Sequence, residues 1–497
     1  MNLQRRASLA GLLALSVVML ASGGCTVGPD YVRPALTDDV PTSFAAATAP
    51  IDTTALDARW WEALGDPILN QLVGQALAHN HDLQRATAAV IEARAAVGGA
   101  RSERLPTDTV SGTASRSLSN SPFAPPGTSP TQLRNGFDAA VSVKYELDLW
   151  GRLSRAEESA RASLLASEAS RRVVRQTLVA DVARTWLQVR ELQCRLGLDL
   201  RTLDSYRSTL ATVEQRYLSG VASALDLRLA RQNVLAAEAA VPGTRRQLRD
   251  SVRRLEILAG RYPAATVVAS DEAAVLAATM PAPLPPVPVG LPSSLLERRP
   301  DLVAAEAGLH ATVANVGSAK ARLYPTLSLT GSAGYNSTEL DPWFDGDHDV
   351  WSLVGNLVSP LFNRGATKAQ VKAAEARARQ SLAAYEQAVL TAFGEVESAL
   401  DAERFESERE ATLGRSVAEA RLSLELAQRR YASGLDPLLT TLETQRRLFA
   451  AESQLLAAQR AHRTARVNLI LALGGPWDLD LDTATLADVG HPGGTTP

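Results

Sequence analysis

The chain has 497 residues, a formal charge of −3, and 45% hydrophobic but only 5% aromatic residues. Its length leaves room for several domains at ~150 residues each, and the near-neutral balance gives no electrostatic footprint for nucleic acid or an acidic partner. Two cysteines, Cys25 and Cys194, exclude a disulfide framework, and the wealth of Ala, Leu, Arg, Glu and Gln favours long helices.

Residues 1–24 read as an export signal: Arg5 and Arg6 precede an apolar run, Leu9 to Leu20, and the small residues Ala21-Ser22-Gly23-Gly24. The run is too short to span a bilayer and stay. Cys25 follows directly, which suggests lipid attachment to its thiol. Ser22 stands where the usual lipoprotein box has an aliphatic residue, so ordinary signal cleavage is the alternative. Residues 25–59 form a lipidated extended leader rich in Pro, Thr and Ala. Cys194 reads as a small packed hydrophobe.

Residues 60–262 make a first structural unit. Trp60 to Leu105 is helical, split near His79-Asn80-His81. Two strands follow at about 107–118 and 136–149. In the second, Phe137, Ala139, Val141, Val143, Tyr145, Leu147 and Leu149 alternate with polar residues, the pattern of a strand with one apolar side. A helix from Leu153 to about Leu218 carries Val182, Val189, Leu196, Leu203, Leu210 and Tyr217 seven apart, and beyond Gly220 the spacing resumes at Leu227, Val234, Val241, Leu248 and Leu255. Sustained heptads predict coiled-coil-like packing. Pro242-Gly243 is expected to interrupt and bend the return helix.

Residues 263–292 form a Pro-rich linker, and residues 293–475 repeat the first unit. Strands are expected at about 326–337 and 350–361, a long helix over Asn363 to Tyr431, and its return over Pro437 to Leu473. The tail, 476–497, reads as disordered. The repetition is visible in the residues. A shift of 214 carries Gln215-Arg216-Tyr217-Leu218-Ser219-Gly220 onto Arg429-Arg430-Tyr431-Ala432-Ser433-Gly434, and Gly260 onto Gly474. A shift of 219 carries Asp82-Leu83 onto Asp301-Leu302. A period this long is a duplicated half-domain, not a solenoid repeat of ~20–50 residues.

The fold class is mainly α with a four-stranded β contribution. Strands of this length match a tilted membrane strand of ~9–11 residues. A sheet in lipid must close, so four strands would have to be completed by other copies, and three chains would bring twelve, an allowed even number. The alternative on the pattern alone is an exported coiled-coil protein with a small sheet, and the barrel is slightly favoured over it.

Several motifs carry a family resemblance. Cys25-Thr26-Val27-Gly28-Pro29-Asp30-Tyr31, Trp60-Trp61, Asn80-His81-Asp82-Leu83, Tyr145-Glu146-Leu147-Asp148-Leu149-Trp150-Gly151-Arg152 and Leu296-Glu297-Arg298-Arg299-Pro300-Asp301-Leu302 resemble those of the TolC-type outer-membrane efflux factors, OprM/NodT-like branch. The resemblance covers Cys25 to about Gly475. It implies a homotrimer: a twelve-stranded outer-membrane β-barrel continuing into a twelve-helix periplasmic α-barrel, lipid-anchored through Cys25 in the outer membrane. Its partners would be a periplasmic adaptor and an inner-membrane pump, commonly proton-driven. The implied function is passive export of drugs or other small toxic molecules, with no catalysis and no cofactor. A duct for type I protein secretion and an exported structural coiled-coil lipoprotein are the alternatives.

The two hairpin tips, 219–223 and 433–437, are the candidate sites. Gly220 and Gly434 suit the left-handed residue after a helix end. Ser223 and Asp226 form a capping-box pattern, while Asp436 is expected to cap the second return helix with Pro437 at its first position. The resemblance implies that Tyr217, Ser219, Gly220, Ser223, Tyr431, Ser433, Gly434 and Asp436 face the adaptor. It also implies that Leu439 and Glu443 form an apolar and an acidic ring that narrow the tube. Converging carboxylates would repel, raise one another's pKa and draw cations; the alternative for Glu443 is a solvated helix charge. Asp341, Asp345, Asp347 and Asp349 with His348 hint at a cation loop but lack the Gly and final Glu of a calcium-binding loop, so they read as a solvated surface loop with no metal.

Overall fold

The computed structural model describes residues 26–35, 43–47, 59–120, 131–268, 272–287, 295–341 and 346–475. The export signal, Cys25, part of the leader, the end of the Pro-rich linker, Asp345 and the tail lie outside the described residues.

The elements are a short 3-10 turn at Trp60–Leu64, then α1 (Pro67–His79), α2 (His81–Ser102), β1 (Thr107–Asn120), β2 (Thr131–Leu147), α3 (Arg152–Leu218) and α4 (Ala224–Leu258). There follow α5 (Glu272–Leu276), α6 (Leu295–Arg298), α7 (Pro300–Ala321), β3 (Thr326–Ser337), β4 (Asp349–Val358), α8 (Ala366–Ala432) and α9 (Leu438–Ala472). At 1.5 Å per residue, a helix of 67 residues such as α3 or α8 is roughly 100 Å long. The chain folds into two compact units. One holds residues up to 35 with 89–168 and 304–386; the other holds 36–88, 169–303 and the rest from 387. Each unit therefore draws on both sequence repeats.

The first unit contains one antiparallel sheet in the order β1-β2-β3-β4. Its register sorts the side chains into two faces. Val110 lies opposite Val141, which lies opposite Ala333 and then Trp351; Gly331 lies opposite Val143 and Leu353. These define an apolar face, and among the described residues nothing covers it: Val110 is 84% exposed, Trp351 79% and Leu353 72%. On the other face Thr109 meets Ser142 at 2.7 Å, Ser332 meets Ser352 at 2.8 Å, and Asn336 donates to Asp138. β1 and β4 each leave one edge unpaired among the described residues.

Two strands end earlier than the sequence predicts, for different reasons. β2 stops at Leu147 because the Asp148 carboxylate turns to cap α3, accepting from Leu153 N at 3.0 Å and Ser154 N at 2.7 Å. β4 stops at Val358, just before Ser359-Pro360, where the proline has no N–H to pair. The Trp150 ring stacks on Tyr324 at 4.8 Å, and its Nε1 donates to Pro325 O at 2.8 Å, tying the β2–α3 junction to the start of β3. The leader is fastened beside it. Val27 N donates to Trp150 O at 3.1 Å, and Gly28, at φ +111°, packs so closely that a Cβ there would lie 2.5 Å from Gly317 Cα. Tyr31 stacks on His310 at 4.4 Å, and the Arg33 fork holds Glu306 at 2.9 and 2.6 Å.

In the second unit the heptad seams are core. Val182, Val189, Leu196, Leu203, Val234, Val241, Leu248 and Leu255 are buried and belong to one cluster with Trp186 and Val213. The expected interruption at Pro242 does not occur: α4 runs unbroken through it. The proline removes one N–H donor, and the seam residues Val241 and Leu248 on either side stay packed.

The helix roots explain the remaining motifs. Asn80 ends α1 and caps α2: its Oδ1 accepts from Asp82 N at 2.9 Å and Leu83 N at 3.1 Å, while its amide donates to Leu258 O at 3.0 Å. Arg299 is the counterpart in the second repeat. It donates to Ala472 O at 3.1 Å and to Asp301 and Glu395 at 2.7 and 2.6 Å. The linker residues Thr279 to Val287 are strapped down as well. Arg190 donates to Thr279 O at 2.9 Å, Arg463 to Pro281 O at 2.6 Å, and Arg466 to Leu284 O.

Candidate functional site

Both long helices end in the same backbone motif. After α3, Gly220 N donates to Tyr217 O at 2.9 Å and Val221 N to Arg216 O at 2.9 Å; after α8, Gly434 N donates to Tyr431 O at 3.0 Å and Leu435 N to Arg430 O at 2.9 Å. The glycines have φ of +77° and +74°, a region where a Cβ is strained. Ser219 and Ser433 hydroxyls return to the carbonyls four residues back, at 2.9 and 3.1 Å.

The side chains then part company. At the first tip the capping box forms: Asp226 N donates to Ser223 Oγ at 3.1 Å and Ser223 N to Asp226 Oδ2 at 3.1 Å. At the second tip the expected Asp436 cap is absent. Pro437 is itself the cap residue, extended at φ −71° and ψ 154°, with no side-chain cap bond. A residue before proline is kept out of the helical region, so Asp436 stays one step too far back to reach the first helical N–H groups. Its carboxylate instead takes the Arg430 fork at 2.8 and 2.9 Å, and that bond holds it below the usual Asp range.

The tips also meet each other. Arg216 Nη1 donates to Tyr431 O at 2.8 Å, and its guanidinium lies 4.6 Å from the Tyr431 ring centre. Tyr217, the repeat mate of Tyr431, is 42% exposed instead. Farther along, fully buried Gln445 donates to Ser205 Oγ at 3.1 Å and Thr209 Oγ1 at 2.9 Å, beside a Tyr206–Phe449 edge contact at 5.6 Å. These partners lie more than 200 residues apart in sequence, and no periodicity marks them.

Exposed Leu439 and half-buried Glu443 share one stripe of α9, beside the buried row of Leu438, Leu442 and Gln445. The electrostatics of Glu443 depart from the expectation. Arg446 binds its carboxylate at 2.9 and 2.8 Å and Arg447 at 2.8 Å, and these bonds pull its pKa down from 4.5 to about 2. Within the chain Glu443 is a clamped anion rather than a repelled one. The signal was present in the sequence, since residues three and four apart share a helix face.

Comparison with known proteins places this geometry. Residues 72–261 and 291–475 match the family model described as outer membrane efflux protein, in two blocks that follow the two repeats. The pyoverdine export outer membrane protein OpmQ of Pseudomonas putida is 35% identical, over 95% of this chain and 98% of its own. The probable outer membrane lipoprotein SilC of Salmonella typhimurium is 31% identical, over 94% of this chain and 98% of its own. The structure of the outer-membrane channel OprN superposes with a TM-score of 0.83 at 30% identity, covering 91% of this chain and all of that one. A helical chain with one four-stranded antiparallel sheet, duplicated hairpins and these relatives is a member of the outer membrane efflux protein family, an efflux channel of the outer membrane.

Proposed function

We propose that three copies of the chain assemble into one exit duct, each giving four strands to a closed twelve-stranded barrel and its long helices to a periplasmic tube. The sheet carries this reading. It has an uncovered apolar face and two unpaired edges, and in lipid each exposed edge costs unmade backbone hydrogen bonds. Pairing β1 of one copy with β4 of the next removes both edges at once. The tips fit the docking of a periplasmic adaptor: Leu218, Val221, Leu225, Leu435 and Leu439 are exposed around a backbone fixed by two Schellman-type turns. An inner-membrane pump would deliver small toxic molecules through that adaptor. Leu439 and Glu443 narrow the tube near the second tip. Cys25 carries the lipid, and Val27 and Gly28, two and three residues further on, are seated beside Trp150 and Gly317.

Planar-bilayer conductance of detergent-extracted protein, with its mass, tests the reading. A trimer that forms steady pores is expected; a monomer that leaves the bilayer sealed would overturn it. Labelled palmitate should enter the wild type and be lost in Cys25→Ser.

A further inference from the structure

The charge at the proposed constriction has the sign opposite to that of an acidic ring. Leu439, Glu443, Arg446 and Arg447 follow the spacing i, i+4, i+7, i+8, so they share one stripe of α9. If Leu439 and Glu443 face the duct, both guanidinium groups face it too. Three other arginines near the tips each have one acid to themselves: Arg231 has Glu214, Arg429 has Glu425 and Arg430 has Asp436. On the stripe, two arginines share the single carboxylate of Glu443, and among the described residues no other acid pairs with either. Arg446 and Arg447 are 68% and 71% exposed, so their remaining N–H groups point to water. At the adjoining helix start the Asp436 carboxylate is already taken by Arg430, and α9 itself has no acidic residue in its first turn and no side-chain cap on Pro437.

We infer that Arg446 and Arg447 make the periplasmic constriction of this duct an anion-preferring filter, with one surplus positive charge per chain and three around a threefold axis. The ligand class is small anions and the anionic groups of cargo, which forked guanidinium groups bind well. Glu443 then acts as the residue that holds the two forks in place rather than as a cation site. This inference rests on the trimeric duct proposed above.

Reversal potentials in planar bilayers under a potassium chloride gradient test it. The wild-type pore should favour chloride. In the double variant Arg446→Gln/Arg447→Gln each chain keeps only Glu443 at this level, and the preference should swing toward potassium by roughly fivefold or more in permeability ratio, since even one unit charge at ~4 Å in water changes local ion occupancy by about that factor. Glu443→Gln should move the ratio the other way, so a misfolded double variant would not leave the idea without a test. A wild-type pore that favours potassium, or a ratio unmoved by all these substitutions, overturns the inference while leaving the duct intact. Absence of any pore would count against the duct itself.

Discussion

The two repeats share a backbone and differ in what their side chains tie together. Each return helix ends against the connector of its own repeat, at Leu258 O in the first and Ala472 O in the second, positions separated by the same 214 residues as Gly260 and Gly474. The first repeat meets that carbonyl with Asn80, a neutral amide whose other task is to cap α2. The second meets it with Arg299, a nearly buried cation that also reaches Asp301 and Glu395. A duplicated frame can therefore be local in one copy and a wider node in the other without any change of fold.

The largest expected effect breaks that node. Arg299→Met removes a carbonyl bond and three charge-assisted bonds, two to Asp301 and one to Glu395, and should cost ~2–4 kcal/mol, discounted because Asp301 and Glu395 are half-exposed and regain water. Asn80→Ala removes one helix cap and one carbonyl bond and should cost about 1–2 kcal/mol. Thermal unfolding of the detergent-solubilised protein measures both. Equal losses would mean that the extra reach of Arg299 contributes nothing.

Much of this frame is legible in the sequence, and the exceptions have physical causes. The heptad residues from Val182 to Leu203 and from Val234 to Leu255 are the buried seam because side chains seven apart return to the same face of a helix, where they meet a partner. The strand faces follow from alternation in the same way. β2 ends before its alternating pattern does, because Asp148 continues the pattern yet its carboxylate serves the next helix. The expected Asp436 cap fails because Pro437 has the sequence of a first helical residue and is the cap itself. The Gln445 bonds to Ser205 and Thr209 had no local signal at all.

At the tips the comparison sharpens. A Cβ added at Gly220 or Gly434 meets nothing within 4 Å, so Gly→Ala at either position costs backbone strain alone, about 1–2 kcal/mol. Hydrogen exchange of the tip amides should accelerate by similar factors in both variants, and unequal factors would show that one tip is held by its side chains. Their side chains are expected to differ. Ser223→Ala should cost about 1 kcal/mol through the lost capping box. Asp436→Asn should cost less than Ser223→Ala, because a surface ion pair holds no helix end. The same exchange experiment reads both, and a larger effect at Asp436 would reverse the assignment of the two tips.

The smallest expected change separates two electrostatic pictures of the second tip. The folded pKa of Glu443 lies near 2, below its ordinary 4.5, because Arg446 and Arg447 bind the charged form. A depressed carboxylate contributes fully above its unfolded pKa and loses that contribution only as pH falls toward the folded value. The clamp should therefore be intact from pH 7 to about pH 4 and open only toward pH 2. A ring of mutually repelling carboxylates would do the opposite, taking up protons at or above the ordinary Glu value. Ion selectivity measured in steps from pH 7 to pH 4 should consequently stay flat in the wild type. In Arg446→Gln/Arg447→Gln the clamp is gone, repulsion is unopposed, and selectivity should begin to titrate within that window. A wild-type profile that already titrates there would mean that neighbouring copies, rather than the two arginines of the same helix, set the state of Glu443.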